Sequence, residues 1–285
     1  MKITKLLYIC SVGFAVILIA MGAYLRHITN PSRSDVPDLG DSKYFIAHAM
    51  GSMDGYIYLN CKESLLKSLQ NGYKYIEIDL QYTSDSVLVC AHNWEQFNKI
   101  SIPDITGNDS NKFMRIPSFE EFKNRKIYGK YTPLSLTDVI ALQNKEPFVI
   151  VIDKTCDANV LNRYFRKEQR KNVMVEVFSE NDYSKIKSSG YIPMLSIGCM
   201  ERYDCMLFIA KHLFTHDYEW FAVEYHSDIR CLRLLKKLYN ANIAVYTVNS
   251  QKYFSWYLGK GIDLIYTDNW DLKKQINTFQ DNNTH

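Results

Sequence analysis

The stretch YIEIDLQYTSDSVLVCAH, residues 75–92, decides the fold that the rest of the sequence predicts. Its first half alternates polar with apolar residues as a β-strand does, and it places Glu77 and Asp79 on the same side of that strand. The segment VLVCAH (87–92) is also strand-like, but only residues 83–86 separate it from the first strand. Because a parallel crossover needs a dozen or more residues, the two segments are predicted to form a hairpin.

Outside this hairpin, strand-like and helical patterns alternate along the chain. The strand candidates, counted with the first half of the opening stretch, are residues 44–48, 75–80, 148–153, 173–178, 193–197, 220–225, 243–248 and 264–268. Alternation of this kind predicts parallel strands with crossover helices, so the fold class is α/β. Eight units predict a (β/α)8 TIM barrel with an extra β-hairpin after strand 2, and a doubly wound open sheet is the alternative.

Composition sets limits on the function. The 285 residues are 47% hydrophobic, which is sufficient for a large packed core. A net charge of +3 without a cluster of basic residues gives no basis for a nucleic-acid partner. None of the seven cysteines forms a C-x-x-C pair, so no zinc site is predicted. Cys199 and Cys205 could form a disulfide in an oxidising compartment, with buried free thiols as the alternative.

The N-terminus carries an apolar segment, LLYICSVGFAVILIAMGAYL (6–25), that has no charged residue. As a helix it would be about 30 Å long, which matches the hydrocarbon core of a bilayer. Lys2 and Lys5 precede it, so we expect a transmembrane helix with its N-terminus in the cytoplasm and the rest of the chain periplasmic or extracellular. A cleaved signal peptide, which would make the protein secreted, is the alternative. The predicted division is an anchor or signal segment (1–27), a linker (28–43), the barrel (44–278) and a tail (279–285).

The two carboxylates of the opening stretch predict a metal site. If Glu77 and Asp79 point into a barrel, burial and mutual repulsion would cost several kcal/mol unless a cation is present. Hard oxygen ligands suit Mg²⁺ or Ca²⁺ better than zinc. Ordinary acids on a solvent-exposed face are the alternative.

Further polar residues follow other apolar strands directly. His48 ends the first strand, His92 ends the hairpin, and Asp153 and Lys154 follow the strand at 148–153. In TIM barrels the C-terminal ends of the strands meet at one mouth, where the active site is built. These side chains are therefore expected to converge with the two acids.

Several motifs together resemble the glycerophosphodiester phosphodiesterases, a family of the wider phosphatidylinositol-phospholipase-C-like barrel superfamily. The resemblance covers about residues 44–275 and is carried by AHAMG (47–51), YLNCKES (58–64), GYKYIEIDLQYTSDSVLVCAHN (72–93), PLSLTDVI (133–140), AVYTVN (244–249) and GIDLIYTDNW (261–270).

The resemblance implies a role for each matching residue. The catalytic acid and base would be His48 and His92. One divalent cation, Mg²⁺ or Ca²⁺, would be held by Glu77, Asp79 and Asp153, with Glu224 as the reserve candidate for the third ligand. Asn60 would contact the metal or the phosphate, and Lys154 would lie near the phosphate charge.

The implied activity is metal-dependent hydrolysis of a glycerophosphodiester or related phosphodiester to an alcohol and a phosphomonoester. Lipid headgroups and envelope polymers are both candidate substrates for an exported enzyme with a membrane anchor at residues 6–25. A lyase that releases a cyclic phosphate is an alternative with the same site.

The sequence departs from the family pattern at three points. Ala49 and Met50 stand where an Arg is expected, Asp153 and Lys154 are adjacent rather than two apart, and Asn93 replaces an Asp. The first two departures favour another alternative, a catalytically impaired barrel that binds phosphorylated glycans or lipid headgroups.

Overall fold

The computed structural model describes residues 42–102, 113–212 and 217–268. Within these ranges the strands are β1 Phe45–Ala47, β2 Tyr75–Tyr82, β3 Leu88–Cys90, β4 Val149–Asp153, β5 Val173–Val177, β6 Ile192–Ser196, β7 Trp220–Glu224, β8 Asn242–Tyr246 and β9 Leu264–Thr267. The helices are α1 Lys62–Gln70, α2 Trp94–Ser101, α3 Phe119–Asn124, α4 Leu136–Gln143, α5 Ala158–Tyr164, α6 Glu180–Ser188, α7 Arg202–His212, α8 Ile229–Tyr239 and α9 Gln251–Leu258.

Eight of the strands close into a parallel barrel. Its order is β1-β2-β4-β5-β6-β7-β8-β9, and β9 pairs back onto β1. The remaining strand, β3, pairs antiparallel with β2, so that Leu80 lies opposite Cys90. The predicted TIM barrel and its hairpin are therefore confirmed, and the open doubly wound sheet is excluded because the sheet has no free parallel edge.

The two-residue period of a strand fixes which side chains reach the mouth of the barrel. The buried interior layer contains Ile46, Val151, Met174, Met194, Ala222, Ala244, Leu264 and Tyr266. Towards the C-terminal ends of the strands, the next inward positions carry polar groups: His48, Glu77 and Asp79, Asp153, Glu176, Ser196, Glu224, Tyr246 and Asp268. The alternate, outward-facing positions pack against the helices in a larger apolar cluster. The chemistry of the mouth is thus set by a layer of polar residues above an apolar interior.

Side-chain caps fix where two of the helices begin, and so where the loops before them end. Ser135 forms a capping box with Asp138 at the start of α4. Asn93 caps α2, where its Oδ1 accepts a hydrogen bond of 2.8 Å from the N–H of Gln96. The residue that departs from the family pattern after His92 therefore begins a helix.

Two predictions concern segments other than the barrel. The predicted transmembrane segment, residues 6–25, lies outside the described residues. Among the described residues, no helix has the length and apolarity that a membrane span requires. The thiols of Cys199 and Cys205 are both free, the first exposed and the second buried, so the structure does not contain the disulfide considered from the sequence. Instead, Cys205 Sγ lies 3.9 Å from the carbonyl oxygen of Cys231 on the neighbouring helix.

The turn after β1 is held by a close approach at Gly51. This glycine has a φ of 83°, in the left-handed region. A Cβ at this position would lie 2.4 Å from Ser68 Oγ, whose hydroxyl donates to the Met50 carbonyl. Helix α1 is thereby packed directly against the turn that carries His48.

Gly51→Ala is expected to lower the free energy of unfolding by about 1–3 kcal/mol more than Gly55→Ala, the usual cost of overpacking. Gly55 is a matched control because its φ is 84°, but no atom lies within 4 Å of the position that an added Cβ would take. Urea unfolding followed by circular dichroism measures both variants. Equal losses would show that the contact with Ser68 does not constrain the turn.

Candidate active site

A cavity of about 250 Å³ opens at the C-terminal ends of the barrel strands. Six of the seven predicted site residues line it, and the seventh, Asn60, is fully buried behind Asp79. The complete lining is His48, Tyr58, Glu77, Asp79, His92, Asp153, Lys154, Glu176, Phe178, Ser196, Tyr246, Thr247 and Tyr266. The reserve ligand Glu224 is not part of this lining.

Three acids meet at one end of the cavity. Glu77, Asp79 and Asp153 each offer a carboxylate oxygen, and these oxygens lie within 4.8 Å of one another. Strand pairing explains the cluster, because β2 runs parallel to β4 with Asp79 opposite Asp153. Glu77 and Asp79 are almost completely buried, and Asp153 is partly buried.

Without a counterion, the ionised form of Glu77 is unfavourable in this cluster. Its Oε2 accepts a hydrogen bond from the N–H of Ala49, but its buried Oε1 has no partner among the described residues. Burial, and then the charges of Asp79 and Asp153, raise the pKa of Glu77 well above its usual value. An unsatisfied buried carboxylate oxygen beside two further carboxylates fits a divalent cation with oxygen ligands. The three acids therefore form a possible metal site.

Asp79 is held in the ionised form by its neighbours. Burial acts to raise its pKa, but hydrogen bonds from His92 and Asn60 outweigh burial and hold the pKa below its usual value. Asn60 Nδ2 donates to Asp79 Oδ2 at 2.8 Å, and the Asp79 N–H donates back to Asn60 Oδ1 at 3.1 Å. Asn60 therefore orients this carboxylate from the side away from the cavity, and the contact with metal or phosphate that the resemblance implies for it stays a prediction.

Lys154 faces the same cavity although it follows Asp153 directly. Its backbone is left-handed, with a φ of 69°, so the chain turns at this residue instead of continuing the strand. The ammonium lies 2.9 Å from Asp153 Oδ2 and 3.9 Å from Asp79 Oδ1. Burial lowers its pKa, but the carboxylates, first Asp153, outweigh burial and raise it. The adjacency that departs from the family pattern therefore still brings both side chains to one site.

Each histidine is paired with a carboxylate through Nδ1. His48 Nδ1 lies 2.7 Å from Asp268 Oδ1, and His92 Nδ1 lies 3.2 Å from Asp79 Oδ1. Asp268 in turn accepts a hydrogen bond of 2.6 Å from Asn249 Nδ2. With Nδ1–H donating to the acid, Nε2 of each ring is left for the cavity.

Sequence reasoning missed Asp268 and Asn249. Asp268 directly follows the last strand, so the strand-end signal that identified His48 and Asp153 applies to it as well. Asn249 carries no comparable signal, because its role depends on Asp268 lying beside it after folding.

A tyrosine that was not predicted lies between the two histidines. The ring centroid of Tyr58 is 4.8 Å from that of His48 and 4.6 Å from that of His92. Its left-handed backbone, with a φ of 57°, turns the side chain into the cavity. Tyr58 thereby packs against both rings at the entrance to the acid cluster.

The expected Arg has no equivalent in the turn after β1. Ala49 and Met50 are fully buried there, and the contribution of this turn to the acid cluster is the N–H of Ala49. Among the described residues that line the cavity, Lys154 is the one Lys or Arg. The third departure, Asn93 in place of an Asp after His92, is also explained by the structure. Asn93 caps a helix, and the carboxylate partner of His92 is Asp79.

The strand next to Asp153, β5, carries a fourth acid of the cavity. Glu176 is 7% exposed, and burial, followed by the charge of Asp153, raises its pKa to about 8. The hydroxyl of Tyr266 donates to its Oε1 at 2.5 Å. The sequence pattern did not identify Glu176 or Tyr266 as site residues. A single Glu within VMVEVF (173–178) has the same pattern whether its side chain faces the barrel interior or the solvent.

Comparison with known proteins is consistent with this geometry. The model of the glycerophosphoryl diester phosphodiesterase family matches residues 53–272. None of the curated proteins matches the chain. Among solved structures, a glycerophosphoryl diester phosphodiesterase from Parabacteroides distasonis is 17% identical, with a TM-score of 0.59 over 87% of this chain and 94% of that one. One from Thermotoga maritima is 20% identical, with a TM-score of 0.58 over 82% and 97%.

A third similar structure carries a ligand. It is a phosphodiesterase from Oleispira antarctica in complex with the product sn-glycerol-3-phosphate, 16% identical, with a TM-score of 0.60 over 83% of this chain and 96% of that one. At identities of 20% or less, these structures establish only the barrel fold. The family model, in contrast, matches residues 53–272 of the 285 in the sequence. The chain therefore belongs to the glycerophosphoryl diester phosphodiesterase family, whose members are phosphodiesterases.

Proposed function

We propose that this protein hydrolyses a glycerophosphodiester or a related phosphodiester to an alcohol and a phosphomonoester. The observation that carries the proposal is the arrangement of His48 and His92 in one cavity, each oriented by a carboxylate, beside three clustered acids. Family membership supports the reaction class, and the product-bound relative was solved with a glycerol phosphate.

The proposed cation is a single Mg²⁺ or Ca²⁺ held by Glu77, Asp79 and Asp153. When bound, such a cation neutralises phosphate charge and stabilises the additional charge of the transition state. It would also satisfy Glu77 Oε1, the buried oxygen that lacks a partner among the described residues.

The histidines are proposed to move the protons. One imidazole accepts a proton at Nε2 from the attacking group, and the other donates a proton from Nε2 to the departing alkoxide. The attacking group is water, or a neighbouring hydroxyl of the substrate that forms a cyclic phosphate, which water then opens to the phosphomonoester. Asp268 and Asp79 hold the rings with Nδ1 toward the protein, so that Nε2 faces the substrate. Lys154, which stays protonated beside the carboxylates, is placed to pair with a phosphate oxygen.

His48→Ala and His92→Ala are each expected to lower kcat by at least about a hundredfold, the usual effect of losing a general acid or base. Turnover of glycerophosphocholine and of bis(p-nitrophenyl) phosphate measures the effect. His226→Ala is the matched control, since His226 is exposed and does not line the cavity. Near-full activity of either cavity variant would remove that histidine from the mechanism. A wild-type protein that binds these diesters without turnover would instead be a binding barrel.

Glu77→Gln, Asp79→Asn and Asp153→Asn are each expected to weaken Mg²⁺ or Ca²⁺ binding by at least about tenfold, because each change removes an anionic ligand. Calorimetric titration of each ion into the protein measures the affinity. Glu224→Gln is the control, because Glu224 ends β7 but does not line the cavity. Binding that survives all three cavity substitutions would contradict the metal site.

The stability of the metal-free protein is expected to fall as the pH rises from about 5 to 8. The folded-state pKa of Glu176, about 8, lies above the unfolded value near 4.5, so the folded protein binds more protons in this range and loses stability as they dissociate. Glu176→Gln removes this titration while still accepting a hydrogen bond from Tyr266. Thermal unfolding in a chelator at pH 5.5 and 8.5 should therefore show a smaller loss in the variant. The same loss in both proteins would be the contrary result.

A further inference from the structure

Tyr58 packs against both of the histidines that the proposed function uses. Its ring centroid lies 4.8 Å from that of His48, with the two ring planes at 78°, and 4.6 Å from that of His92, with the planes at 50°. These separations are those of aromatic rings in direct contact. Tyr58 also lines the cavity, so one side chain connects the two imidazoles at the site of the proposed chemistry.

The hydrogen bond at Nδ1 does not by itself fix the plane of either imidazole. The χ2 torsion of a histidine has only a broad preference, so contacts with the ring must set its orientation. Asp268 and Asp79 hold the Nδ1 atoms of His48 and His92. The direction of Nε2, through which the proposed proton transfers occur, therefore also depends on what packs against each ring.

The two histidines differ in how much else restrains them. The His48 side chain is 14% exposed, lies 2.7 Å from its carboxylate partner and also packs against Tyr266, at a centroid distance of 6.3 Å. The His92 side chain is 30% exposed and lies 3.2 Å from Asp79. Among the described residues, Tyr58 is the one aromatic ring in contact with His92. The orientation of His92 therefore depends more on Tyr58 than that of His48 does.

The backbone that carries Tyr58 is anchored on both sides of the cavity wall. The next residue, Leu59, is buried in an apolar cluster, and Asn60 is fully buried and hydrogen-bonded to an acid of the cluster. The carbonyl oxygen of Tyr58 accepts a hydrogen bond of 3.5 Å from Nε2 of Gln96, in the first turn of the helix that begins just after His92. A ring on so constrained a segment can hold a neighbouring side chain in place.

We propose that Tyr58 is a positioning residue for the acid and the base: its ring holds the imidazole of His92, and to a smaller extent that of His48, in the orientation that directs Nε2 at the substrate. This inference rests on the proposed function and adds a residue that acts through the histidines. The ring, and not the hydroxyl, carries the role, because the ring makes both contacts.

Variants that separate the ring from its hydroxyl test the proposal. Tyr58→Phe keeps the ring and should retain kcat within about threefold of the wild type, whereas Tyr58→Ala should lower kcat at least about tenfold and change KM less than about threefold. A loss of this size is expected because misplacing a catalytic group by about 1 Å is sufficient to cause it. Turnover of glycerophosphocholine and of bis(p-nitrophenyl) phosphate measures kcat and KM of each variant.

Two further variants keep the comparison decisive. Tyr58→Asn also removes the ring, and Asn tolerates the left-handed backbone at this position, where φ is 57°. It should lose as much kcat as the alanine variant, and it carries the test if that variant does not fold. Tyr56→Ala is the matched control, because Tyr56 lies on the same segment but stacks on Tyr128 and does not line the cavity. It should leave kcat and KM unchanged.

A double-mutant cycle tests whether Tyr58 acts through His92. In a His92→Ala background, Tyr58→Ala should lower kcat further by less than about threefold, because the imidazole that the ring orients is already absent. A residue that instead contacted the substrate directly would cost the same factor in both backgrounds. The cycle therefore distinguishes a positioning role from a binding role.

The outcomes separate this inference from the proposed function. Hydrolysis of neither diester by the wild type would overturn the proposed function and the inference with it. With an active wild type, near-full kcat in the ring-deleted variants would overturn the inference alone. A phenylalanine variant as slow as the alanine variant would assign the role to the hydroxyl, and an undiminished loss in the His92→Ala background would place Tyr58 on the substrate. Either result would also overturn the inference.

Discussion

The mutual repulsion of three carboxylates at the mouth of the barrel is the constraint on which the rest of the site depends. Glu77, Asp79 and Asp153 are brought within 4.8 Å by parallel pairing of β2 with β4, in a place where burial disfavours charge. The neighbouring groups stabilise the three carboxylates to different extents. Asp79 receives two hydrogen-bond donors, Asp153 receives the ammonium of Lys154, and Glu77 keeps an oxygen without a partner among the described residues. The three acids therefore form a possible metal site, in which a cation would satisfy that oxygen.

The same strand geometry links the acid cluster to the two histidines of the cavity. Asp79 takes part in both, because one oxygen belongs to the acid cluster while its hydrogen bond to His92 orients the ring. His48 obtains the equivalent support from Asp268, at the end of the strand that closes the barrel. His48 and the acids of the possible metal site thus come from barrel strands, and His92 reaches the same mouth from the hairpin.

The departures from the family pattern are accommodated by the backbone. A left-handed turn at Lys154 lets two adjacent residues face one cavity, and the buried turn at Ala49 and Met50 contributes a backbone N–H to Glu77. Tyr246 and Tyr266, which also line the cavity, lie within the C-terminal motifs that carry the family resemblance, whereas Glu176 lies outside the motifs.

The sequence by itself determined the barrel, the hairpin and six of the residues that line the cavity, because strand period, loop length and strand ends are local properties. It also placed Asp79 and Asp153 at strand ends that parallel pairing must bring together. Only the tertiary structure decided that Asp268 supports His48 across 220 positions of sequence, and that Asn60 lies behind Asp79. Such pairings depend on barrel closure and on left-handed backbone turns, as at Tyr58 and Lys154, which side-chain periodicity does not encode.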